Sequence, residues 1–156
     1  MSLIDLPTAK AHLRVDADYP DEQVSIYLNA AERAVAEFLN RRIYATQQEL
    51  DTAIEDVPAA LTAASEAYET ALEAAADIED ATTQEMAKER AERVFAAAKT
   101  AARETYDGLV VNDAIKAGIL LMAASLHENR GDSVDGAELP RAAQALLFPF
   151  RVGLGV

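Results

Sequence analysis

The sequence predicts an all-α protein: a small helical bundle around a central apolar helix, with a long Ala-rich helical hairpin inserted into it. Three observations predict this class. Apolar residues make up 51% of the 156 residues, many of them alanine, with only 6 glycines and 5 prolines to interrupt helices. The stretch Val111–Gly131, VNDAIKAGILLMAASLHENRG, holds ten consecutive uncharged residues from Ala117 to Leu126. A surface helix shows a polar residue on its outer face every third or fourth position, so this one must be covered on several sides. Ten residues are too few to cross a bilayer, which takes about 20. The cover is therefore protein, either the rest of the chain or a neighbouring subunit. Finally, 57 residues from Asp51 to Asp107 contain 18 alanines and no glycine, the composition of two long helices.

In chain order, Asp5 is placed to cap a short helix opening at Leu6 and Pro7, where proline's missing N–H has no helical partner. Leu6, Ala9 and Leu13 share one face of it. Arg14 to Pro20, RVDADYP, reads as a turn, because Asp16 and Asp18 bond nearby backbone and Pro20 disfavours helix at Tyr19. The next helix, Asp21 to Asn40, has the clearest period, with Val24, Tyr27, Leu28, Ala31, Val35, Phe38 and Leu39 spaced by three and four. Asn40, Arg41 and Arg42 close its negative end. Ile43 to Leu50 is readable either as a short extended piece or as the start of the next helix. The Ala-rich segment reads as two antiparallel runs, Val57 to Ile78 and Thr82 to Tyr106, broken at Asp77 to Thr83. Alanines bury little area each, so at about 25 cal/mol per Å² such a hairpin is only weakly self-supporting. The domain boundaries that follow are 1–50 with 108–156 for the bundle and 51–107 for the hairpin.

The central helix has Asn112 as its N-cap, Asp113 in the positive first turn, Arg130 in the negative last turn and Gly131 for a left-handed cap. Its apolar face complements that of Asp21–Asn40, so the two should pack together. After the polar loop Asp132 to Glu138, Leu139 to Leu147 forms a short amphipathic helix with Pro140 near its start, and Phe148 to Arg151 leaves it in an extended path. Phe148, Phe150, Val152, Leu154 and Val156 then place five large apolar side chains in a tail broken by Pro149, Gly153 and Gly155. Either Phe148 and Phe150 close the chain's own bundle, or the tail packs on something else. Phe148, Phe150, Arg151, Val152 and Leu154 are the candidate interface residues.

Composition excludes several functions. With no cysteine there is no thiol nucleophile, no cysteine zinc site and no disulfide. A formal charge of −13 opposes wrapping nucleic acid, which needs clustered lysine and arginine. The hairpin segment holds 14 acids against 5 bases, so −9 of that charge lies there. The opening MSLIDLPTAKAHL breaks its apolar residues with Asp5, Pro7 and Lys10, unlike a signal peptide, and a cytoplasmic location is expected. Nucleotide and zinc-protease motifs are missing. Asp16 and Asp18 lack the glycine and distal glutamate of a calcium loop. A di-iron bundle needs Glu-x-x-His, and Ala124 stands three before His127. No catalytic, cofactor or metal residues are expected.

Four pieces in order carry a resemblance: LIDLPTAKAHLRVD, DEQVSIYLNAAERAVAEFLNR, IKAGILLMAASLHENR and ELPRAAQALLFPFRV. Together, over about 100 residues once the hairpin is set aside, they resemble the head-tail connector family of long-tailed bacteriophages, also called putative DNA-packaging proteins. The most telling are the helix ending His127, Glu128, Asn129, Arg130 and the closing Leu146, Leu147, Pro149, Arg151, Val152. Asp51 to Asp107 departs from the family pattern, which has a short connection there. The resemblance implies a virion protein at the head-tail junction, present in host cytoplasm before assembly and not bound to a membrane. It further implies a ring of about a dozen copies in closed symmetry, joined to the portal and to tail-completion proteins. DNA would pass through the centre without sequence-specific binding. The competing reading is a cellular coiled-coil adaptor whose hairpin docks a partner.

Overall fold

A computed structural model describes residues 2–129 and 138–153. In order they form α1 (Leu6–Leu13), α2 (Asp21–Leu39), β1 (Ile43–Tyr44), α3 (Gln47–Ala76), α4 (Ala81–Tyr106), β2 (Leu109–Val110), α5 (Asp113–Glu128), α6 (Arg141–Leu147) and a single 3-10 turn, Phe148–Phe150. The protein is all-α; among the described residues the β structure is one parallel pair with Ile43 opposite Leu109 and Tyr44 opposite Val110. Two compact units result. One takes the chain up to Gln47 and resumes at Leu109; the other is Gln48–Gly108.

In the first unit α5 packs along α2, with α1 and α6 covering them. Val24, Leu28, Val35 and Leu39 from α2 and Ile115 and Ile119 from α5 are buried to within 1%, each adding roughly 1.5–3 kcal/mol of apolar burial. Met122, Ala123, Ala143 and Leu147 complete the core. The two helices run antiparallel. The β pair sets the start of α5 beside the end of α2, through Leu109 N–H to Arg42 O at 3.0 Å and Val111 N–H to Tyr44 O at 2.8 Å. At the other end the His127 ring meets those of Tyr27 and Tyr19 edge-on, at 5.6 and 6.0 Å between centroids.

Local sequence accounts for the ends of these helices. Asp5 accepts from Thr8 N–H at 2.9 Å and Asn112 from Ile115 N–H at 3.0 Å, each satisfying a backbone donor that the first turn leaves open. The hydrogen bonds from Thr8 hold the Asp5 carboxyl below its usual pKa of 3.8. Asn40 takes the left-handed conformation, φ 54°. With it Asn40 N–H reaches Glu37 O and Arg41 N–H reaches Ala36 O, the double bond pattern of a Schellman cap. Glu128 ends α5, and Asn129 turns its side chain back to Ser125 O at 2.9 Å. The expected last-turn Arg130 and cap Gly131 lie outside the described residues.

The second unit holds α3 and α4. Both helices start earlier than Val57 and Thr82, where the sequence places them, α3 by ten residues and α4 by one. The Ile43–Leu50 stretch is strand first and helix second: Ile43–Tyr44 pair, and α3 begins at Gln47, ten residues before Val57. Pro58 sits inside α3, at the cost of one backbone hydrogen bond. The start of α4 is Ala81, capped by Asp80, which accepts from Thr83 N–H at 2.7 Å and from its hydroxyl at 2.6 Å. These bonds hold Asp80 below its usual pKa of 3.8. The Tyr68 and Phe95 rings stack between the two helices at 5.1 Å and 13°. Beside them runs an apolar groove of about 390 Å³ walled mainly by alanines of both helices.

Candidate functional site

Alternation of apolar side chains with Pro149 and glycine predicts an extended path after α6; the backbone instead tightens into the 3-10 turn Phe148–Phe150. Pro149 fits there because an early position in such a turn needs no N–H partner. Arg151 N–H closes the turn on Phe148 O at 3.2 Å. One consequence is a sharp separation of neighbours. Leu147 is fully buried, Phe148 is 54% exposed, and Phe150 packs against the core.

Beyond the turn the chain is tied to the C-terminal end of α2 by four residues. The Arg41 guanidinium donates to Phe150 O at 3.1 Å. Val152 N–H donates to Leu39 O at 3.1 Å, taking up a carbonyl that the helix end leaves open, and Asn40 Nδ2 donates to Val152 O at 3.1 Å. The Arg151 guanidinium lies 5.0 Å from the centre of the Phe38 ring, within cation–π range. Its Nε is buried and has no hydrogen-bond partner, so the ring face is what holds it. Gly153, at φ 67°, turns the chain onward in a conformation that favours glycine.

Of the five candidate residues, Phe150, Arg151 and Val152 are therefore gathered on the chain's own α2, Phe148 faces outward, and Leu154 lies outside the described residues, as does Val156. Leu146 is also exposed, at 40%, on the other flank of buried Leu147. Sequence reasoning missed Asn40 and Arg41, read as partners of the α2 dipole. They also clamp a segment more than 100 residues away, and periodicity carries no signal for such a contact.

Among the described residues no group of three or more His, Asp or Glu side chains is placed to hold a metal ion. No described helix is long and apolar enough to cross a membrane.

Compared with known proteins, the chain matches the profile of one family, described as phage gp6-like head-tail connector protein, over residues 3–95. That span is more than half of the 156 residues. It contains α1, α2, α3 and part of α4, and so reaches into the Ala-rich segment, while α5 and α6 lie beyond it. Neither a curated protein nor a solved structure matches.

Proposed function

The chain belongs to the phage gp6-like head-tail connector family, and on that premise we propose that it forms a ring at the head-tail junction, joining the portal of the filled head to the tail and passing DNA through its centre. The family is a structural one, not an enzyme family, and its membership sets the coarse role: a phage connector of the virion.

The observation that carries the finer reading is Phe148. A 54% exposed phenylalanine beside fully buried Leu147 still has about half of its apolar surface to bury, worth roughly half of the 1.5–3 kcal/mol of a full burial. Its turn is nevertheless fixed on both sides, by buried Leu147 against α5 before it and by the bonds to the end of α2 after it. A rigid, outward apolar anchor is what a subunit contact uses. In a closed ring each copy offers one such surface and receives its neighbour's. The charge of −13 supports the passage of DNA: like charge repels the phosphate backbone, whereas a channel that bound it tightly would hold the genome back.

Two measurements test this. Mass determination on the purified protein, alone and mixed with the cognate portal, should show a ring-sized multimer. Phage lacking the gene should yield DNA-filled heads without tails. A protein that stays monomeric with the portal, or tailed infectious particles made without it, overturns the reading.

A further inference from the structure

On the first unit, far from Phe148, a second apolar feature lies open. A cleft of about 500 Å³ is walled by Leu6, Pro7 and Ala11 of α1 and by Val15 and Ala17 of the turn that follows. Its polar edge is already satisfied: Lys10 Nζ donates to Ala17 O and to Asp21 Oδ1, both at 2.7 Å. An apolar guest would thus strip no hydrogen bond from the walls, and the volume is in the range that encloses a compact ligand.

The same chain carries a guest of the right kind. Arg141, Ala145 and Phe148 fall on one face at helical spacing. This knob sits at the C-terminal end of α2, through the bonds of Leu39, Asn40 and Arg41. The cleft sits at the N-terminal end, where Asp21 borders it. The 19 residues of α2 separate the ends by about 28 Å, so a chain cannot fill its own cleft. Charge agrees with this pairing. Asp16 and Asp18, both exposed, flank Ala17 in the turn, and with Asp21 they set three carboxylates against Lys10 and Arg14. Arg141 stands on the edge of the knob.

Building on the ring reading above, we propose that the subunit contact is head-to-tail: the Phe148 knob of one copy enters the α1 cleft of the next. Two different surfaces at opposite ends of one helix make a heterologous interface, which propagates and, where the rotation closes, ends as a ring.

The absence of cysteine allows a directional test on the full chain. Ala145→Cys beside the knob and Ala17→Cys at the cleft are both at exposed positions. Under mild oxidation, at a concentration or with a portal that gives multimers by mass, the two single variants mixed together should join in unlike pairs. Each alone should give few dimers, and the double variant a ladder. Adding Phe148→Asp should abolish the joining while the circular dichroism spectrum stays unchanged. Like pairs forming as readily as unlike ones would mean a two-fold interface and overturn the proposal. Rings that assemble without unlike joining would overturn it while leaving the ring itself standing. If no multimer forms even with the portal, the ring reading fails and takes this contact with it.

Discussion

Gly118 on α5 lies so close to Leu147 on α6 that a Cβ there would meet Cγ, Cδ1 and Cδ2 of the leucine at 3.0 Å. Leu147, fully buried, would have to give way by a few tenths of an ångström to admit it. Close approach of the helices at this point brings α6, and with it the outward Phe148, against the core. Gly118→Ala should therefore destabilise, although alanine is the better helix former by roughly 1 kcal/mol. Overpacking costs about 1–3 kcal/mol, and the net should be a fall of several degrees in melting temperature, larger for Gly118→Val. A rise in melting temperature would show that α6 can shift outward freely.

A buried charge should separate the two neighbours at the middle of α5. Met122 is 2% exposed, whereas Leu121 is only partly buried. Met122→Asp should lower stability by at least about 3 kcal/mol, since no cationic partner waits there, and Leu121→Asp by clearly less. Denaturant midpoints measure both. Equal losses would mean that the far side of α5 is as closed as the near side.

Cutting the Ala-rich segment out should leave the bundle standing. The chain leaves the first unit just after β1 and returns at β2, and those strands hydrogen-bond to each other. Because the pair is parallel, a Gly/Ser linker of about a dozen residues replacing Gln48–Gly108 is needed to cross back from Gln47 to Leu109, and loop-closure entropy still favours it over the longer native segment. The expected product is a folded, cooperatively melting helical protein. A chain without a melting transition would show the segment to be integral to the fold.

What the sequence disclosed follows a physical division. Apolar period and side-chain caps are local, so α1, α2 and α5 are legible from Asp5, Asn112 and the Val24–Leu39 stripe. The start of α3 is not: Pro58 reads as a first-turn proline, and only the paired Ile43–Tyr44 before it shows that the helix opens at Gln47. Asp80 was there to be found, three residues before a Thr83 whose own N–H it takes. The site was legible in composition, as five apolar residues in a broken tail. Which of them face outward was not, because Phe150, Arg151 and Val152 are held inward by the end of α2, more than 100 residues away in the chain.

Acid should loosen the two aspartate caps before the core. Hydrogen bonds in the folded state depress the pKa of both Asp5 and Asp80 below 3.8. A depressed carboxylate contributes stability at pH above its unfolded value and loses it as pH falls through the lower folded value. Helix content followed by circular dichroism should thus be flat from neutral pH to about 4 and decline below. In Asp5→Asn with Asp80→Asn the caps remain but do not titrate, and this early decline should shrink. An unchanged profile would assign the acid loss to other carboxylates.

The last prediction separates anchoring from contact in the tail. Truncation after Arg151 removes the two hydrogen bonds that Val152 makes with Leu39 and Asn40, at roughly 1 kcal/mol net for each. Melting temperature should fall modestly, and assembly should weaken because the turn carrying Phe148 loses one of its moorings. Phe148→Asp is the opposite case. Its side chain is 54% exposed, so the monomer should melt within about 0.5 kcal/mol of the parent, yet a carboxylate cannot enter an apolar contact without a partner. Assembly should be lost and Phe148→Leu should restore much of it. If Phe148→Asp assembles normally, the outward phenylalanine is surface only. If it unfolds the monomer, the residue belongs to the core. If truncation alone abolishes assembly, the contact lies beyond Arg151, in the residues that follow the clamp.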